Sequence, residues 1–562
     1  MSGAVRTIAE VAAQPFTSVA DAVHALRAVG DRGIWSDGRL TPWSDAVGAV
    51  AVRIAALREL MTSSSPPSSS SPSSSSPSRP HIGLLLAGTP EYLHLLGAAA
   101  CSELVVAGLN PTRRGEALIR DAALADCALI LTDTDNEALL DGLDPGVPVV
   151  SVDSPEWTAL LDRHAGAALP EVADVPVGPD DLVALVFTSG TSGDPKAVRI
   201  TQSKISVPGR MLAERFGIGS DDCVYSAMPL FHSNAVMVAW PIALYSGCSI
   251  ALRRRFSASN WLDDVRRHGC TFANYVGAPL SYILATPERP DDADNPMRVV
   301  YGNEAPADVR REFARRFGVT VVDGFGSSEG GISVTRTPGT PDAALGPLPD
   351  GVRIVDPESG DECPRARFDD AGVLLNADEA VGEMVADGPG LFSGYYGDPA
   401  ADAERMRGGR FHSGDLAYVD DDGYIYFADR SGGWMRVDGE NLAAAPIERV
   451  LRRHPDVAEV GVYAVPAETV RGPAVIGDAV AAAVVPRAGA EASALAGGFG
   501  DFLAAQPDLG PKQWPSLLRI TAALPRTASF KFRSRDLTSL GAEPAGDGLW
   551  VRADGAGAFT PG

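Results

Sequence analysis

The sequence predicts an α/β fold built mainly on parallel sheets. Short strand-like and helix-like runs alternate between residues 82 and 152, which is typical of strands joined by helical crossovers. The strand-like runs are 82–86, 104–107, 128–132 and 149–152, and the helix-like runs are 92–100 and 117–125. Because 562 residues are too many for one ordinary core, we expect two or more domains.

The N-terminal region precedes this alternation. Apolar residues recur at helical spacing in residues 1–60, so we expect this region to be largely helical. Residues 63–80 contain only Ser, Pro and a single Arg, Arg79. Such a composition buries too little apolar area to offset its ordering entropy. It predicts a disordered Ser/Pro insertion inside the first domain rather than a domain boundary.

Composition excludes several classes of protein. A formal charge of -24 argues against a nucleic-acid partner, because binding to a phosphate backbone relies on Lys and Arg. The six cysteines form no C-x-x-C pair, which favours reduced thiols over a zinc site. No stretch approaches the ~18 apolar residues of a transmembrane helix. We therefore expect a cytoplasmic protein with no transmembrane segment.

The most informative stretch is FTSGTSGDPKAV, residues 187–198, which follows the apolar run 182–187. Glycines let a backbone approach an anion, hydroxyl groups add donors, and a lysine supplies charge, so this loop can surround phosphate. Its spacing differs from that of a P-loop, and a flexible Ser/Gly connector is the alternative interpretation. The residues concerned are Thr188, Ser189, Gly190, Thr191, Ser192, Gly193 and Lys196.

Further motifs follow in order along the chain. They are MPLFHSNA (228–235), YVGAP (275–279), YGNEAP (301–306), VDGFGSSEGG (322–331) and RFHSGDLAYVDDDGYIYFADR (410–430). Glycines at probable strand ends leave room for a flat adenine against the backbone. The Asp-Gly pair at 422–423 predicts a hairpin. Taken singly, each motif also fits a structural histidine, a solvated carboxylate or a turn glycine.

Together these motifs resemble those of the acyl-adenylate-forming superfamily of acyl-CoA synthetases, luciferases and peptide-synthetase adenylation domains. The match runs in the expected order from Thr188 to Lys531. The resemblance implies a large domain, residues 1–430, of mostly parallel sheets with flanking helices, and a small mobile α+β domain, residues 431–562. It also implies that ATP/AMP, Mg²⁺ and coenzyme A are bound.

The resemblance implies roles for individual residues. His232 would lie near the substrate carboxylate, Glu329 would bind Mg²⁺ together with Thr188, and Lys531 would neutralise charge that develops during adenylation. Asp415 and Arg430 match the positions that hold the ribose hydroxyls. The remaining matches for nucleotide or coenzyme A binding are Ser189, Gly190, Thr191, Ser192, Gly193, Lys196, Gly302, Gly326, Ser327, Ser328 and Gly439, the last of which lines the pantetheine tunnel.

The sequence departs from the common pattern at four positions. Gln202 stands where a His often follows the phosphate loop, Gly432 replaces a hinge Asp or Lys, and Arg436 replaces a Lys. Phe530 replaces a Gly before the catalytic lysine, which is similar to the branch of fatty acid transport proteins and very-long-chain acyl-CoA synthetases. That branch implies a bulky, lipid-like acid. The expected walls of its pocket are Val236, Met237, Trp240, Val276, Gly277 and Gly326.

The leading functional prediction is an acyl-CoA synthetase that activates a bulky or long-chain carboxylic acid as an acyl-adenylate and transfers it to coenzyme A. One alternative is an acyl-AMP ligase that loads a carrier protein. Another is a half-reaction enzyme that thioesterifies a supplied acyl-adenylate. A catalytically silent nucleotide-binding protein is less favoured, because the candidate catalytic residues are all present.

Overall fold

The computed structural model describes residues 7, 10, 14, 17–63, 79–189, 195–369, 374–430, 435–437, 440–442, 444–471, 477–506, 509–527, 532–543, 548–552 and 558–562. The chain divides into two compact units. Unit 1 contains Met1–Gly331 and Pro389–Glu404, and unit 2 contains Ile332–Gly388 and Arg405–Gly562. The domain boundary expected at residue 430 stays a prediction.

The helices and strands are numbered here in chain order. The α-helices are α1 Val19–Leu26, α2 Trp43–Ser63, α3 Pro90–Ala100, α4 Glu116–Leu124, α5 Pro155–Arg163, α6 Gln202–Phe216, α7 Trp240–Ser246, α8 Trp261–His268, α9 Pro279–Leu284, α10 Ala307–Phe317, α11 Ala377–Ala380, α12 Pro399–Arg405, α13 Ala444–Leu451, α14 Ala467–Val470, α15 Ala492–Ala504 and α16 Ser534–Leu540. The strands are β1 Gly33–Ser36, β2 Arg39–Pro42, β3 His81–Leu85, β4 Val105–Gly108, β5 Cys127–Thr132, β6 Val149–Ser151, β7 Leu182–Ser189, β8 Pro195–Thr201, β9 Cys223–Ser226, β10 Ser249–Leu252, β11 Phe272–Val276, β12 Val299–Asn303, β13 Thr320–Gly326, β14 Ser333–Thr335, β15 Gly346–Pro347, β16 Val352–Val355, β17 Gly382–Asp387, β18 Met406–Arg407, β19 Arg410–Val419, β20 Tyr424–Arg430, β21 Met435–Val437, β22 Glu440–Leu442, β23 Val457–Pro466, β24 Asp478–Pro486, β25 Leu517–Ile520, β26 Gly548–Arg552 and β27 Phe559–Pro561.

Unit 1 contains two mostly parallel sheets. One has its strands in the order β6-β5-β3-β4-β7-β8, where only β7 and β8 are antiparallel. In the other sheet, neighbouring strands in the order β13-β12-β11-β9-β10-β1 are all parallel, and β2 pairs with β1 in the antiparallel direction. Apolar side chains from helices and strands form a buried core against each sheet. The parallel α/β architecture predicted from residues 82–152 is therefore confirmed.

The largely helical character expected for residues 1–60 is wrong between residues 33 and 42. These residues form the hairpin β1–β2 around a two-residue turn at Asp37 and Gly38, whose φ angles are 51° and 77°. Positive φ at both positions is what a tight hairpin turn requires, and Asp-Gly is a preferred pair there. The turn signal was present in the sequence, but the helical spacing on both sides of it masked it.

The ends of the Ser/Pro insertion also differ from the expectation. Ser63 is the last residue of α2 rather than the first residue of the insertion. At the other end, Arg79 donates hydrogen bonds to the carbonyl oxygens of Ser102, Glu103 and Leu104. Both ends are therefore part of ordered structure, and residues 64–78 lie outside the described residues.

Unit 2 contains an antiparallel sheet and a mixed sheet. The antiparallel sheet has the order β15-β20-β19-β17-β16, with β18 paired to β19. The hairpin predicted for residues 410–430 is its β19–β20 pair. The mixed sheet has the order β23-β24-β25-β26-β27, and α13 and α15 bury Ile447, Leu451, Leu495 and Phe499 in its core. This C-terminal part is the expected α+β module.

Gln202, which departs from the common pattern, joins two helices in unit 1. Its side chain is fully buried at the start of α6. Oε1 accepts the N–H of Val19 at 2.8 Å, and Nε2 donates to the carbonyl oxygen of Ala100 at 3.0 Å. The amide therefore satisfies one backbone group at the start of α1 and one at the end of α3.

We expect Gln202→Leu to destabilise unit 1, because it leaves two buried backbone groups without these partners. Each unpaired group costs about 1–3 kcal/mol. The apparent melting temperature should therefore fall clearly in differential scanning fluorimetry. Glu214→Ala, at an exposed position of the same helix, is the matched control and should change the melting temperature little. A Gln202→Leu protein that melts with the wild type would contradict the bridging role.

Candidate active site

Four of the motifs lie at or directly after the carboxyl ends of neighbouring parallel strands of unit 1. The strands are β9, β11, β12 and β13, and they lie side by side in the order β13-β12-β11-β9. Because parallel strands end at the same edge of a sheet, the loops that carry His232, Gly277 and Ser327 leave from one edge. In open α/β sheets this is the edge at which ligands bind.

A hydroxyl pair joins the histidine loop to the loop after β13. Ser233 follows His232, and its Oγ lies 2.7 Å from Oγ of Ser328. The ring of His232 itself packs against Phe231, with 4.4 Å between the ring centroids. The structure therefore brings Ser328 next to the histidine segment, as a shared site requires.

Glu329 is buried and has a tyrosine partner. Its side chain is only 8 % exposed, and Tyr395 donates a hydrogen bond from its hydroxyl group to Oε1 at 2.9 Å. The same tyrosine ring faces Lys196, whose Nζ lies 5.2 Å from the ring centroid. A lysine at that distance is attracted by the ring. Tyr395 thus connects the predicted metal ligand to the predicted phosphate-binding lysine.

The phosphate loop connects the antiparallel strands β7 and β8. Thr188 and Lys196 are directly paired across the two strands, so their side chains lie on the same face of the sheet, next to the connecting loop. Nζ of Lys196 lies 3.5 Å from the exposed carboxylate of Glu404. Ser189 is the last residue of β7. The other members of the loop, Gly190, Thr191, Ser192 and Gly193, lie outside the described residues.

Lys204 is a buried cation that the sequence-based prediction missed. Its side chain is fully buried, and Nζ donates to the carbonyl oxygen of Arg199 at 3.1 Å. A Cβ atom on Gly330, the residue after Glu329, would lie 3.2 Å from Cε of Lys204. Burial lowers the pKa of Lys204 to about 7, and the charge of Glu329 opposes that shift. Perturbed pKa values of this kind cluster at functional sites.

Neither Lys204 nor Tyr395 stood out in the sequence, since a lone lysine in a helix and a tyrosine in a turn have no specific signature. The nearest signal for Tyr395 is its position between Gly394 and Gly397, which both have positive φ. The nearest signal for Lys204 is its position in the first turn of α6, two residues after the buried Gln202.

Gly302 has a packing reason for being glycine. A Cβ atom there would lie 2.2 Å from the carbonyl oxygen of Tyr275 on the neighbouring strand β11. The hydroxyl group of Tyr275 in turn donates to Asp323, and burial raises the pKa of that carboxyl group to about 6. Gly302 therefore permits close strand packing, and adenine contact at this residue stays a prediction. Gly326 and Ser327 are exposed at the end of β13.

The predicted ribose ligands lie together in unit 2. Asp415 on β19 and Arg430 on β20 are cross-strand partners, and Asp415 is only 8 % exposed. Gly439 and Lys531, like the altered positions Gly432 and Phe530, lie outside the described residues. Arg436 belongs to β21. The structure thus pairs the two ribose candidates, while the roles of Gly439 and Lys531 stay predictions.

The expected pocket walls are mostly buried. Val236 and Met237 belong to a π-helix, residues 235–239, which continues directly into α7. Both are at most 9 % exposed, as are Trp240 and Val276. Trp240 lines a small apolar cavity together with residues of α1, α2 and α3. Contact of these side chains with an acid stays a prediction.

Comparison with known proteins identifies the family. Residues 77–396 match the AMP-binding enzyme family, and residues 446–531 match the AMP-binding enzyme C-terminal domain. Medium/long-chain-fatty-acid–CoA ligase FadD17 of Mycobacterium marinum is 51% identical over 531 residues, which are 94% of this chain and 97% of that protein. Steroid-22-oyl-CoA synthetase of Rhodococcus jostii is 45% identical over 462 residues, 81% of each chain.

More distant similarity agrees with the branch and the fold predicted from the sequence. Long-chain fatty acid transport protein 2 of Rattus norvegicus is 30% identical over 414 residues, 68% of this chain and 66% of that protein. Among solved structures, the anthranilate CoA ligase AuaEII in complex with anthranoyl-AMP matches with a TM-score of 0.78 at 17% identity, covering 95% of this chain and 98% of that one. No helix within the described ranges has the length and apolarity to cross a membrane. The chain belongs to the AMP-binding enzyme family and is an acid–thiol ligase of the acyl-CoA synthetase type.

Proposed function

We propose that the chain activates a long-chain or similarly bulky lipid carboxylic acid and transfers it to coenzyme A. The observation that carries this proposal is the similarity to FadD17, which extends over almost the full length of both proteins. FadD17 is named as a ligase of medium-chain and long-chain fatty acids. The similarity to a fatty acid transport protein favours the same class of acid.

In this proposal the nucleotide is held through its phosphates and through its ribose. Thr188, Lys196 and the loop that connects them bind the phosphates, and Asp415 with Arg430 binds the ribose hydroxyls. A carboxylate that accepts hydrogen bonds from two neighbouring hydroxyl groups is a favourable partner for ribose. The substrate carboxylate binds near Ser328 and His232, in the loops that follow the carboxyl ends of β13 and β9.

Magnesium fits the oxygen groups near the phosphate loop. The carboxylate of Glu329 and the hydroxyl group of Thr188 are hard oxygen ligands of the kind that Mg²⁺ prefers. Within the described ranges no group of three or more His, Cys, Asp or Glu side chains converges on one point. The remaining ligands would therefore be phosphate oxygens and water, which is how Mg²⁺ is usually held beside nucleotides. When bound, the ion would neutralise charge on the triphosphate.

The proposed reaction has two steps. A carboxylate oxygen of the acid attacks the α-phosphorus of ATP, so an O–P bond forms and pyrophosphate leaves. The thiolate of coenzyme A then attacks the acyl carbon, a C–S bond forms, and AMP leaves. Lys531 is proposed to stabilise the charge that develops in the first step, and Gly439 to line the tunnel for the thiol in the second.

A steroid acid is the second candidate substrate. The observation that favours it is the 45% identity to a steroid-22-oyl-CoA synthetase. A fused-ring acid and a long alkyl chain both present a large apolar surface, so the same apolar walls serve either one. The two differ in width, and width is what a substrate panel tests.

The test is thioester formation from ATP, Mg²⁺ and coenzyme A with acetate, octanoate, palmitate and a steroid-22-oic acid. Because each buried methylene group contributes about 0.8 kcal/mol, we expect kcat/KM for palmitate to exceed that for acetate by at least ~10²-fold. Preference for acetate would contradict the proposal, and preference for the steroid acid would select the second candidate.

Two further assays separate the alternatives. Thioester formation only from supplied acyl-adenylate, without release of pyrophosphate from ATP, would identify the half-reaction enzyme. Acyl transfer to a carrier protein but not to coenzyme A would identify a carrier-loading ligase. No turnover with any acid or adenylate, combined with intact AMP binding, would identify a catalytically silent protein.

A further inference from the structure

Asp415 is presented by an irregular segment of β19. On one side of the irregularity Leu416 pairs with Glu383 of β17, and on the other His412 pairs with Val385. Three residues of β19, 413–415, therefore stand opposite the single residue Met384. A bulge of this kind bends a strand and aims its side chains away from the regular alternation. Asp415 is the last of the three residues in this bulge.

Glu383 holds the middle of the bulge. The residue is only 4 % exposed, and Oε1 accepts the N–H of Gly414 at 3.0 Å. The other carboxylate oxygen, Oε2, lies 2.8 Å from Nδ1 of His412 and 2.7 Å from Nη2 of Arg407. One buried carboxylate thus binds the backbone of the residue before Asp415 and the side chain of the residue where the bulge begins.

Two other side chains fix the ends of the bulge. The hydroxyl group of Ser413 donates to the carbonyl oxygen of Met384 at 2.7 Å and accepts the N–H of Asp415 at 3.0 Å. Arg405 donates from Nη1 to the carbonyl oxygen of His412 at 3.1 Å. A Cβ atom on Gly414 would lie 2.6 Å from that same Nη1, and the φ angle of Gly414 is +72°. Glycine is therefore required at the centre of the bulge.

We propose that Glu383 is a positioning residue for the nucleotide: it fixes the Ser413–Gly414–Asp415 bulge and thereby the direction of the Asp415 carboxylate. The inference rests on the proposed role of Asp415 in binding ribose. Glu383 does not touch the nucleotide and acts through the backbone of Gly414.

The physical reason is the position of the hydrogen bond. A charged acceptor for a backbone N–H forms one of the stronger hydrogen bonds in proteins. Without it, the N–H of Gly414 is left unpaired in a half-buried turn, and this flexible glycine relaxes toward another conformation. A displacement of about 1 Å at a binding group is enough to lower function by up to ~10²-fold.

The test is the Kd of AMP, measured by isothermal titration calorimetry on the full chain. We expect Glu383→Ala to raise the Kd by about tenfold or more. Glu383→Gln retains an oxygen acceptor for Gly414 and should restore most of the affinity. The matched control is Asp387→Ala, which removes a carboxylate from the same strand that pairs with Arg353 and Arg410 instead. It should change the Kd by less than about twofold.

A double mutant separates positioning from general support of the fold. If Glu383 acts through Asp415, Glu383→Ala should change the AMP Kd by less than about twofold once Asp415 is already Ala. An unchanged AMP Kd in Glu383→Ala would overturn the inference. So would a Glu383→Ala substitution that raises the Kd by the same factor in the wild type and in Asp415→Ala. If Asp415→Ala alone binds AMP like the wild type, the proposed ribose role fails, which is a distinct result.

A smaller change covers the case in which Glu383→Ala does not fold. Ser413→Ala removes only the hydroxyl group that spans Met384 and Asp415, so it disturbs the same bulge from its other end. It should raise the AMP Kd in the wild-type background and add little in the Asp415→Ala background. Wild-type affinity in Ser413→Ala would then overturn the role of the bulge.

Discussion

Replacement of Glu329 by Gln is expected to slow acyl-adenylate formation by about 10²–10³-fold, the effect of losing one preorganised electrostatic group. Gln has nearly the same size and keeps an oxygen to accept the hydrogen bond from Tyr395, so packing around residue 329 is retained. The substitution removes the negative charge that is proposed to bind Mg²⁺. Formation of thioester from supplied acyl-adenylate involves no triphosphate and should be much less affected.

The measurement is pyrophosphate release from ATP and acid, alongside thioester formation from synthetic acyl-adenylate. Tyr395→Phe is the matched control, because it deletes the hydrogen bond to Glu329 but leaves the carboxylate in place. A hydrogen bond to a charged group contributes about 1.5–3 kcal/mol, so we expect a smaller loss, roughly tenfold. Equal loss of both half-reactions in Glu329→Gln would argue against a role confined to the triphosphate step.

Replacement of Lys204 by Met is expected to change how stability depends on pH. Burial lowers the pKa of this lysine to about 7, against 10.5 for the free side chain. Below about pH 7 the lysine carries its proton in both the folded and the unfolded chain, and the full penalty of burying the charge applies. Between about pH 7 and pH 10.5 only the unfolded chain holds the proton, so the stability of the wild type rises with pH.

The size of this rise in stability follows from how far burial lowers the pKa of Lys204. Lowering the pKa from 10.5 to about 7 corresponds to on the order of 5 kcal/mol over the whole pH range. Lys204→Met lacks the titrating group. Its free energy of unfolding should therefore exceed that of the wild type most near pH 7, and the difference should shrink as the pH rises. Chemical denaturation at several pH values in this range measures the difference.

Lys196→Met is the control for Lys204→Met. It removes the same charge from a side chain that is 17% exposed and has a carboxylate partner, Glu404, 3.5 Å away. Because the folded chain pairs this charge with a carboxylate, its removal is expected to bring no gain in stability. A Lys204→Met protein whose stability runs parallel to that of the wild type at every pH would mean that Lys204 stays charged in the folded state.

Local patterns in the sequence predicted much of the fold. The alternation of residues 82–152 and the β19–β20 hairpin both depend on neighbours along the chain. Apolar periodicity and turn residues are local quantities, so a sequence reports them directly. The hairpin β1–β2 was missed because the stronger helical spacing around it outweighed a two-residue turn signal.

What the sequence by itself determined is the list of chemical groups and their order, from the hydroxyl-rich loop at 187–198 to the His-Ser-Gly-Asp segment that carries Asp415. Only the tertiary structure decided which groups meet. Tyr395 contacts Glu329 across 66 positions of the chain, and Glu383 holds Gly414 across 31. The burial of Lys204 and the bulge that aims Asp415 likewise arise from packing between distant segments. Such contacts depend on which strands pair and which helix face is covered, and local propensity contains no information about either.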